Sequence, residues 1–337
     1  MQGFALFRLP YARQCFQIEG DVIELSSVSE LSEQQGFVVA PFAPSAEVPI
    51  VVIRPERFLD TIDEDSLLRT VRELPSSPAA SQHSREEYHK DFTNFHAHLT
   101  NGDFQKLVLA RRLDVEHRDD ISPLTLFCKA CDSYPRMFIS LVYTPQSGLW
   151  LTSTPEILLS GHGTEWQTIA LAGTMPFAEE VRWGDKNIQE QRYVATYICR
   201  QLERFTDKFS ENGPYTARAG HLAHLRSDFR FVMDQHKVGR LLETLHPTPA
   251  VCGLPKEQAF RFILDNEHQP RSYYSGFMGP LFVDGQTNLF VTLRCMQLMK
   301  GCYRLYAGGG LLKDSVEEQE WQETEIKLDT MRSLLIH

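Results

Sequence analysis

The order of strand-like and helix-like segments along the chain predicts an α+β fold. Runs of β-branched, aliphatic and aromatic residues predict strands over residues 104–115, 136–144, 148–160, 165–172, 217–233, 271–283, 288–299 and 302–309. Apolar positions three or four apart predict helices that follow Ser84, cover 187–209, 236–245 and 255–266, and run from Ser315 to about Leu335. Because the strands come in runs between helices rather than in strict alternation with them, we expect large antiparallel sheets.

Two predicted helices begin with a recognisable capping pattern. Ser84 is followed three residues later by Glu87, and Ser315 by Glu318, which is the spacing of a capping box. Before the first of these helices lies a linker-like stretch, Leu74 to His83, with two prolines and three serines. It separates about 75 residues of strand-like sequence from the rest, and the length of 337 residues alone would suggest two domains.

Charge and composition exclude several classes of protein. The chain has 34 basic and 44 acidic residues, so its formal charge of −10 argues against a nucleic-acid binder. Arg8 and Arg13 interrupt the first apolar run, and no window reaches about 18 apolar residues, so we expect neither a signal peptide nor a membrane span. A local cluster of positive charge could still bind a small anion.

The cysteines indicate a reducing compartment. There are seven, an odd number spread over a long chain, which is not typical of a disulfide framework and favours a cytoplasmic protein. Cys128 and Cys131 form a CxxC pair, but no second pair and no nearby histidine complete a metal site. We interpret this pair as two thiols on one side of a helix.

Two charged residues interrupt strands that otherwise read as buried. Lys106 either pairs with a buried carboxylate, or has a lowered pKa and acts as a general base, or lies on an edge strand with its ammonium in solvent. Glu156 follows Pro155 among aliphatic residues. It is either an acid with a raised pKa or a carboxylate at a solvated strand end.

Further candidate residues lie near the C-terminus of the chain. Glu320, Glu323 and Lys327 share one face of the last predicted helix, where they could bind Mg²⁺ or form a solvated face. Glu190 could be a third carboxylate ligand or could complement a helix dipole. Arg294 lies alone among apolar residues, so either an internal ion pair or a carboxylate ligand would explain it.

A glycine run precedes that helix. The segment Tyr306-Ala-Gly-Gly-Gly310 ends a predicted strand and would let backbone N–H groups approach an anion closely. Taken together, these residues describe a site for a small dicarboxylate, with Mg²⁺, a lysine base and a glutamic acid.

Seven ordered motifs make the chain resemble the chorismate-binding enzymes, a family that includes isochorismate synthases, salicylate synthases and the large subunits of anthranilate and aminodeoxychorismate synthases. The matching segments are KLVLAR (106–111), STPE (153–156), ALAGT (170–174), HPTPAVCG (246–253), YYSGFMG (273–279), LRC (293–295), and YAGGG (306–310) followed by EWQETEIK (320–327). The resemblance implies one large α+β domain with two stacked antiparallel sheets flanked by helices. Residues 81–337 would then form the chorismate-binding catalytic region, and residues 1–80 would complete the scaffold with strands.

Within the family the resemblance is strongest to the isochorismate synthases. Members that add water typically have lysine at the position of Lys106, whereas members that use ammonia have glutamine, because water needs a base to become a nucleophile. The resemblance implies that Lys106 activates water for attack on C2 of chorismate and that Glu156 protonates the departing C4 hydroxyl.

The resemblance also implies the remaining site residues. Glu190, Glu320 and Glu323 would hold Mg²⁺. Arg294 and Tyr306 would hold the enolpyruvyl carboxylate, supported by Gly309, Gly310 and Lys327. Ala172 and Gly173 would line the C4 side, and His224 would lie near the ring.

Two positions depart from the family pattern, and several alternatives stay open. Gln191 stands where many members have histidine, and SGFMG replaces the commoner AGPVG. The first alternative is a salicylate synthase, which eliminates pyruvate from isochorismate in the same site. The others are an amine-forming subunit with a glutaminase partner, against which Lys106 argues, and a non-catalytic chorismate-binding protein. We expect a monomer without a glutaminase subunit that serves menaquinone synthesis rather than siderophore or salicylate synthesis.

Overall fold

The computed structural model describes residues 2–59, 84–116, 121–178, 181–219 and 222–336. Within these ranges the six helices are α1 (Arg85–Asn101), α2 (Pro123–Ser133), α3 (Asp185–Leu202), α4 (Val238–Leu245), α5 (Lys256–Asn266) and α6 (Glu317–Arg332). The strands there are β1 (Gln2–Arg8), β2 (Phe16–Leu25), β3 (Gly36–Ala40), β4 (Ile50–Ile53), β5 (Arg57–Leu59), β6 (Lys106–Glu116), β7 (Phe138–Thr144), β8 (Gly148–Thr154), β9 (Ile157–His162), β10 (Glu165–Pro176), β11 (Phe209–Ala219), β12 (Leu222–Val232), β13 (Gly253–Leu254), β14 (Phe277–Leu281), β15 (Gln286–Val291), β16 (Cys295–Met299) and β17 (Cys302–Leu311).

The strands form two antiparallel sheets that share one strand. The first sheet has the order β13-β6-β17-β16-β8-β7-β1-β2-β5. The second has the order β11-β12-β10-β9-β15-β14-β3-β4-β2. Strand β2 pairs with β1 as far as Asp21 and with β4 from Val22 onward, so it passes from one sheet to the other.

Aromatic residues join the inner faces of the two sheets. Phe138 of the first sheet stacks on Phe290 of the second, with ring centroids 4.2 Å apart and ring planes at 5°. Phe7 packs against Phe37 across the same layer at 5.5 Å. Such aromatic pairs add about 0.5–1.5 kcal/mol each beyond the burial of their area. The predicted fold of two stacked antiparallel sheets in a single domain is therefore confirmed.

The helices cover the outer faces of the sheets. Apolar stripes on α3 and α4, including Val194 and Leu241, pack in one core with the second sheet. Residues of α2 and α6, including Leu126 and Leu328, pack with the first sheet. Helices α1 and α5 form a smaller core beside β6. Helix α6 is thereby fixed against β17, with two of the three predicted metal carboxylates, Glu320 and Glu323, on it.

The N-terminal strands lie inside the sheets rather than beside them. Strand β1 pairs with β7, and β3 pairs with β14. The predicted linker from Leu74 to His83, and with it the predicted division at residue 80, lies outside the described residues. None of the helices that the structure describes combines the length and the apolar sequence needed to cross a bilayer.

Local signals located some helix ends correctly and others wrongly. The capping box at Ser84 is confirmed, because its side chain accepts from the Glu87 N–H (3.1 Å) and the Glu87 carboxylate accepts from the Ser84 N–H (2.8 Å). The capping box at Ser315 is wrong. The last helix begins at Glu317, and the Ser315 hydroxyl instead accepts from the N–H of Leu312 (3.0 Å).

Two predicted strands differ from the observed ones. The predicted strand 217–233 falls on the end of β11 and on β12, and of the predicted strand 271–283 only Phe277–Leu281 is a strand.

Three further predicted elements also have different bounds. The long third helix ends at Leu202 rather than near 209, where β11 begins. The predicted strand 148–160 is interrupted at Pro155, and the predicted strand 288–299 is interrupted before Arg294. Both interruptions lie at the site described next.

Candidate active site

One buried cavity collects most of the predicted site residues. It lies where β6, β10, β12 and β17 meet helices α3 and α6. Nine of the thirteen predicted residues line it, namely Glu156, Ala172, Gly173, Glu190, His224, Arg294, Gly310, Glu323 and Lys327. Residues as far apart in sequence as 156 and 327 therefore share one site.

Lys106 lies behind the cavity wall and is completely buried. Its Nζ contacts Oε1 of Glu190 at 3.0 Å, so it pairs with a buried carboxylate. The alternative of an edge strand is wrong, because β6 is paired on both sides, with β13 and β17. Nζ has no well-aligned hydrogen-bond acceptor within the described residues, which leaves donor capacity for a water molecule or a substrate.

Gly310 makes room for this ion pair. A Cβ atom at position 310 would lie 2.1 Å from Glu190 Oε1 and 3.0 Å from Lys106 Cε, so a side chain there would displace the ion pair. Burial acts to raise the pKa of Glu190, but the Lys106 and Lys186 ammonium groups outweigh it and hold that pKa below its usual value. Glu190 is therefore a carboxylate at neutral pH.

Glu156 has the opposite protonation state. It follows Pro155 between β8 and β9, and its side chain is buried in the cavity wall. Burial raises the pKa of Glu156 to about 8, although Lys106, Arg294 and Lys327 act to lower it. The interpretation as a solvated strand end is wrong, and at neutral pH Glu156 is an acid that can donate a proton.

Each of the three predicted metal carboxylates is paired with a lysine. Glu190 contacts Lys106, Glu320 contacts Lys186, and Glu323 accepts from Lys327 at 2.6 Å. Among the residues that the structure describes, no three His, Cys, Asp or Glu side chains form a ready metal cluster. The lysine ammonium groups therefore lie beside the carboxylates that a bound metal ion would need as ligands.

The same carboxylates nevertheless fit a hard divalent cation. Glu320 is 1% exposed, and its Oε2 has no hydrogen-bond partner within the described part of the chain. Burial raises the pKa of Glu320, and so does the neighbouring carboxylate of Glu323, because two negative charges close together repel each other. An orphaned buried oxygen beside further carboxylates is a donor set that suits Mg²⁺.

His224 and Arg294 form a fixed pair in the cavity wall. His224 Nδ1 lies 3.0 Å from the carbonyl oxygen of Gly173, and Nε2 lies 3.2 Å from Arg294 Nη2. A carbonyl only accepts and a guanidinium only donates, so His224 carries its proton on Nδ1. Burial, followed by Arg294 and Lys327, lowers the pKa of His224 well below its usual value, so the ring is neutral.

Backbone irregularities at Gly173 and Arg294 create this arrangement. Gly173 has a φ of +71° at the point where the register of β10 against β12 shifts, a bulge that suits glycine. Arg294 has a φ of +46°, which is uncommon for a residue with a side chain. Its Nη1 has no partner among the described residues and remains available for an anion.

Tyr306 does not line the cavity. Its ring stacks between Trp150 (5.4 Å) and Tyr274 (5.6 Å), and Tyr274 is the tyrosine that faces the cavity. The two glycines that precede Gly310 also differ in position, since Gly308 lines the cavity and Gly309 lies against Glu320.

Sequence reasoning missed Lys186 and Tyr274. Lys186 lies one helical turn before Glu190, a spacing that could have placed it on the same face of α3. Tyr274 lies within the YYSGFMG motif without being singled out there. Gln191, which departs from the family pattern, donates from Nε2 to Ser227 Oγ at 2.9 Å.

The chain is similar to curated proteins described as isochorismate synthases. The chain is 29% identical to isochorismate synthase MenF of Escherichia coli (strain K12) over 247 residues, covering 70% of this chain and 57% of the relative. It is 30% identical to the salicylate biosynthesis isochorismate synthase of Pseudomonas aeruginosa over 289 residues, covering 80% and 60%. The alignments thus span less than two thirds of the length of these curated relatives.

The fold has a close counterpart among solved structures. The menaquinone-specific isochorismate synthase MenF of Escherichia coli superposes with a TM-score of 0.78 over 99% of this chain and 89% of that chain, at 22% identity. That likeness establishes the fold alone. The family model described as chorismate binding enzyme matches residues 55–336, which include every residue of the cavity. This chain belongs to the chorismate-binding enzyme family.

Proposed function

We propose that this protein is an isochorismate synthase, which converts chorismate to isochorismate. One observation carries the proposal: a glutamic acid that is neutral at pH 7 lines the cavity, and a buried lysine contacts Glu190 of the same cavity wall from behind. Water addition with loss of a hydroxyl group needs a base for the entering water and an acid for the leaving group. An amine-forming enzyme that uses ammonia would not need the base.

The proton transfers follow from these two residues. For this step Lys106 must first give up the proton of the ammonium group that faces Glu190. Its amine then takes a proton from a water molecule that attacks C2 of the ring. Glu156 gives its proton to the C4 hydroxyl, which leaves as water while the ring double bonds shift. One water molecule enters and one leaves, so the product is an isomer of the substrate.

The substrate carboxylates have partners in the same cavity. Arg294 presents an unpartnered Nη1 and is held from behind by neutral His224, so it can bind one carboxylate without reorganisation. We assign Tyr274 rather than Tyr306 as the tyrosine beside it, since only Tyr274 lines the cavity. Lys327, anchored to the Gly308 carbonyl oxygen at 2.8 Å, supplies a second cation.

We further propose that Glu190, Glu320 and Glu323 hold Mg²⁺. The buried, orphaned Oε2 of Glu320 supports this assignment. A Mg²⁺ ion bound there would supply charge neutralisation for the ring carboxylate of the substrate. Lys106, Lys186 and Lys327 would then have to share or release these carboxylates.

Incubation of the purified protein with chorismate and Mg²⁺, with separation of products by chromatography, tests the proposal. We expect isochorismate as the main product, lost on addition of EDTA and absent with Lys106→Gln. Salicylate with pyruvate as the products would contradict the proposal and favour a salicylate synthase. Unreacted chorismate that is consumed only after ammonia is added would indicate an amine-forming enzyme.

We propose menaquinone synthesis as the use of the product, which the likeness to MenF of Escherichia coli supports. Deletion of the gene in its own organism, with quinones and siderophores measured by mass spectrometry, tests this. Loss of menaquinone with siderophores retained is the expected result, and the reverse pattern would refute it.

A further inference from the structure

One edge of β6 lacks a neighbouring strand beside the cavity. Its other edge pairs with β17 almost throughout, but on this edge the described chain offers only β13, which pairs with Lys106 and Leu107. The Val108 N–H still donates to the Cys252 carbonyl oxygen at 2.7 Å. Beyond that point the Val108 carbonyl oxygen and the Ala110 N–H face the same edge, because alternate residues of a strand direct their backbone groups to the same side. Both residues are buried, so these groups need partners.

The side chains of Glu267 and Arg271 supply those partners. The Ala110 N–H donates to Glu267 Oε1 at 2.7 Å, and Arg271 Nη2 donates to the Val108 carbonyl oxygen at 2.8 Å. Arg271 Nη1 donates to the carbonyl oxygen of Val251 at 2.7 Å. The pair thus presents one acceptor and one donor to the edge of β6, as the backbone of a neighbouring strand would.

The two side chains hold each other in a fixed geometry. Arg271 donates to Glu267 from Nε (2.6 Å) and from Nη2 (2.7 Å), which is the two-bonded fork of a guanidinium and a carboxylate. These side chains are 4% and 3% exposed, and the guanidinium carbon lies 4.3 Å from the centre of the Phe42 ring. Because a buried ion pair adds little net stability relative to apolar residues of similar volume, its value to the protein lies in the geometry that it fixes.

The pair joins three segments of the cavity wall. Val108 and Val251 line the cavity, and so does Tyr274, whose N–H donates to the Arg271 carbonyl oxygen at 2.9 Å. Lys106 lies two residues before Val108 on the same strand. Neither member of the pair lines the cavity, so its effect on a bound substrate would pass through these neighbours.

We propose that Glu267 and Arg271 are positioning residues for the reaction: in place of a strand, they fix β6, which carries Lys106, against the turn that carries Tyr274. This inference rests on the proposed function, which assigns the base to Lys106. Without the pair the fold should persist, since β17 still pairs with β6, but the base would shift relative to the substrate. A shift of about 1 Å at a reacting group costs about 100-fold in rate.

The double variant Glu267→Leu/Arg271→Met distinguishes positioning from a purely structural role. Each single change leaves the other charge buried without its partner, whereas the double change leaves no unpaired charge. We therefore expect the double variant to unfold at a higher urea concentration than Arg271→Met alone. Its kcat for isochorismate formation should nevertheless stay about 100-fold below that of the unaltered protein, with KM for chorismate changed less than about threefold. Recovery of kcat together with stability would overturn the proposal.

Arg271→Lys is a second, milder variant that keeps the positive charge. A single ammonium nitrogen cannot reproduce the fork to Glu267 and also reach the carbonyl oxygens of Val108 and Val251. We expect a folded protein by circular dichroism, with kcat at least about 10-fold lower than that of the unaltered protein. An unchanged kcat in this variant would also overturn the proposal.

Asp114 and Arg304 provide a matched control on the same strand. Arg304 on β17 donates twice to the Asp114 carboxylate on β6, at 2.8 Å each, and neither residue lines the cavity. The double variant Asp114→Leu/Arg304→Met should keep kcat within about threefold of the unaltered protein. A loss of kcat equal to that of the Glu267/Arg271 double variant would show a general effect of removing buried ion pairs and would refute the positioning role.

Amide hydrogen exchange followed by mass spectrometry tests the inference without relying on the reaction. In the Glu267/Arg271 double variant, exchange should become faster in residues 107–111 and 272–276 and stay unchanged in β7. Unchanged exchange in both segments would overturn the proposal. If the unaltered protein forms no isochorismate from chorismate and Mg²⁺, the proposed function fails, and the exchange result still decides whether the pair fixes these two segments.

Discussion

Substitution of Gly310 by alanine tests the link between the glycine run and the ion pair behind the cavity. The new methyl group would lie 2.1 Å from Glu190 Oε1, about 1.3 Å short of the 3.4 Å at which ordinary contact begins. The adjacent Gly309 is a matched control, because a methyl group there would lie 3.5 Å from Glu320 Oε2, an ordinary contact. The same change at neighbouring positions of β17 should therefore have different effects.

The expected size of the effect of Gly310→Ala depends on which atoms around the new methyl group can move. The obstructing atom is the end of a flexible side chain rather than backbone, so the carboxylate of Glu190 should shift by about 1 Å and the strand should stay in place. A displacement of that size at a reacting group costs about 100-fold in rate. Misplacing a metal ligand costs about 10-fold to 100-fold in affinity. The cost of overpacking to the free energy of unfolding should be about 1–3 kcal/mol.

Initial rates of isochorismate formation over a range of Mg²⁺ concentrations measure both effects, with circular dichroism and thermal unfolding as checks on the fold. We expect Gly310→Ala to lower kcat by about 100-fold and to raise the half-saturating Mg²⁺ concentration by at least 10-fold. Gly309→Ala should stay within about threefold of the unaltered protein, since its methyl makes only ordinary contact. Unchanged kinetics in Gly310→Ala, or equal losses in both variants, would refute the reasoning.

Four further predictions concern the charged residues. Lys106→Gln should abolish isochorismate formation on chromatography while leaving the circular dichroism spectrum intact, and retained product would contradict its role as base. Because burial raises the pKa of Glu156 to about 8, kcat should fall as the pH rises through about 8, and residual activity in Glu156→Gln should lack that fall. The folded-state pKa of Glu156 exceeds the ordinary value of 4.5, so the folded protein binds this proton more tightly than the unfolded chain does. The free energy of unfolding should therefore fall as the pH rises from about 4.5 to about 8. Urea titrations of Glu156→Gln should show a smaller fall over the same range. Lys186→Met leaves the Glu320 carboxylate buried without its ammonium partner, so the variant should unfold at a lower temperature than the unaltered protein when no metal is present. Mg²⁺ should raise the unfolding temperature of the variant more than that of the unaltered protein. An equal rise in both proteins would count against Glu320 as a ligand.

The parts of the fold that the sequence predicted rest on local signals. The capping box of Ser84 and Glu87 and the apolar stripe on α1 each lie within a few residues, and the structure bears them out. Ser315 and Glu318 have the same spacing, yet the Ser315 hydroxyl serves the N–H of Leu312 in the preceding turn. A sequence pattern shows that a cap is available, but the packing of the chain around it decides which N–H group it takes.

In the candidate site, too, the residues that sequence predicted are those with a local signal. Lys106 and Glu156 were visible because a charged residue interrupts an apolar run, which has few explanations in a buried strand. Lys186 was not visible, because its importance comes from Glu320, 134 residues away. The positive φ of Arg294 was also invisible in sequence, since it depends on how β15 and β16 join their neighbours. Such residues are recognised only when their partners are known.

The balance of charge around the cavity explains why these features belong together. Glu190, Glu320 and Glu323 bring three carboxylates, while Lys106, Lys186, Lys327 and Arg294 bring four cations, and Glu156 is neutral at pH 7. The protein therefore places a single net positive charge near the proposed substrate, which has two carboxylates. With both substrate carboxylates bound, one negative charge would remain, and a divalent cation would change it to one positive charge. In a buried site such a change has a large effect on the binding energy, because charges there are poorly screened. The lysine pairs keep the carboxylates neutralised without metal, and the orphaned Oε2 of Glu320 marks where that compensation is incomplete.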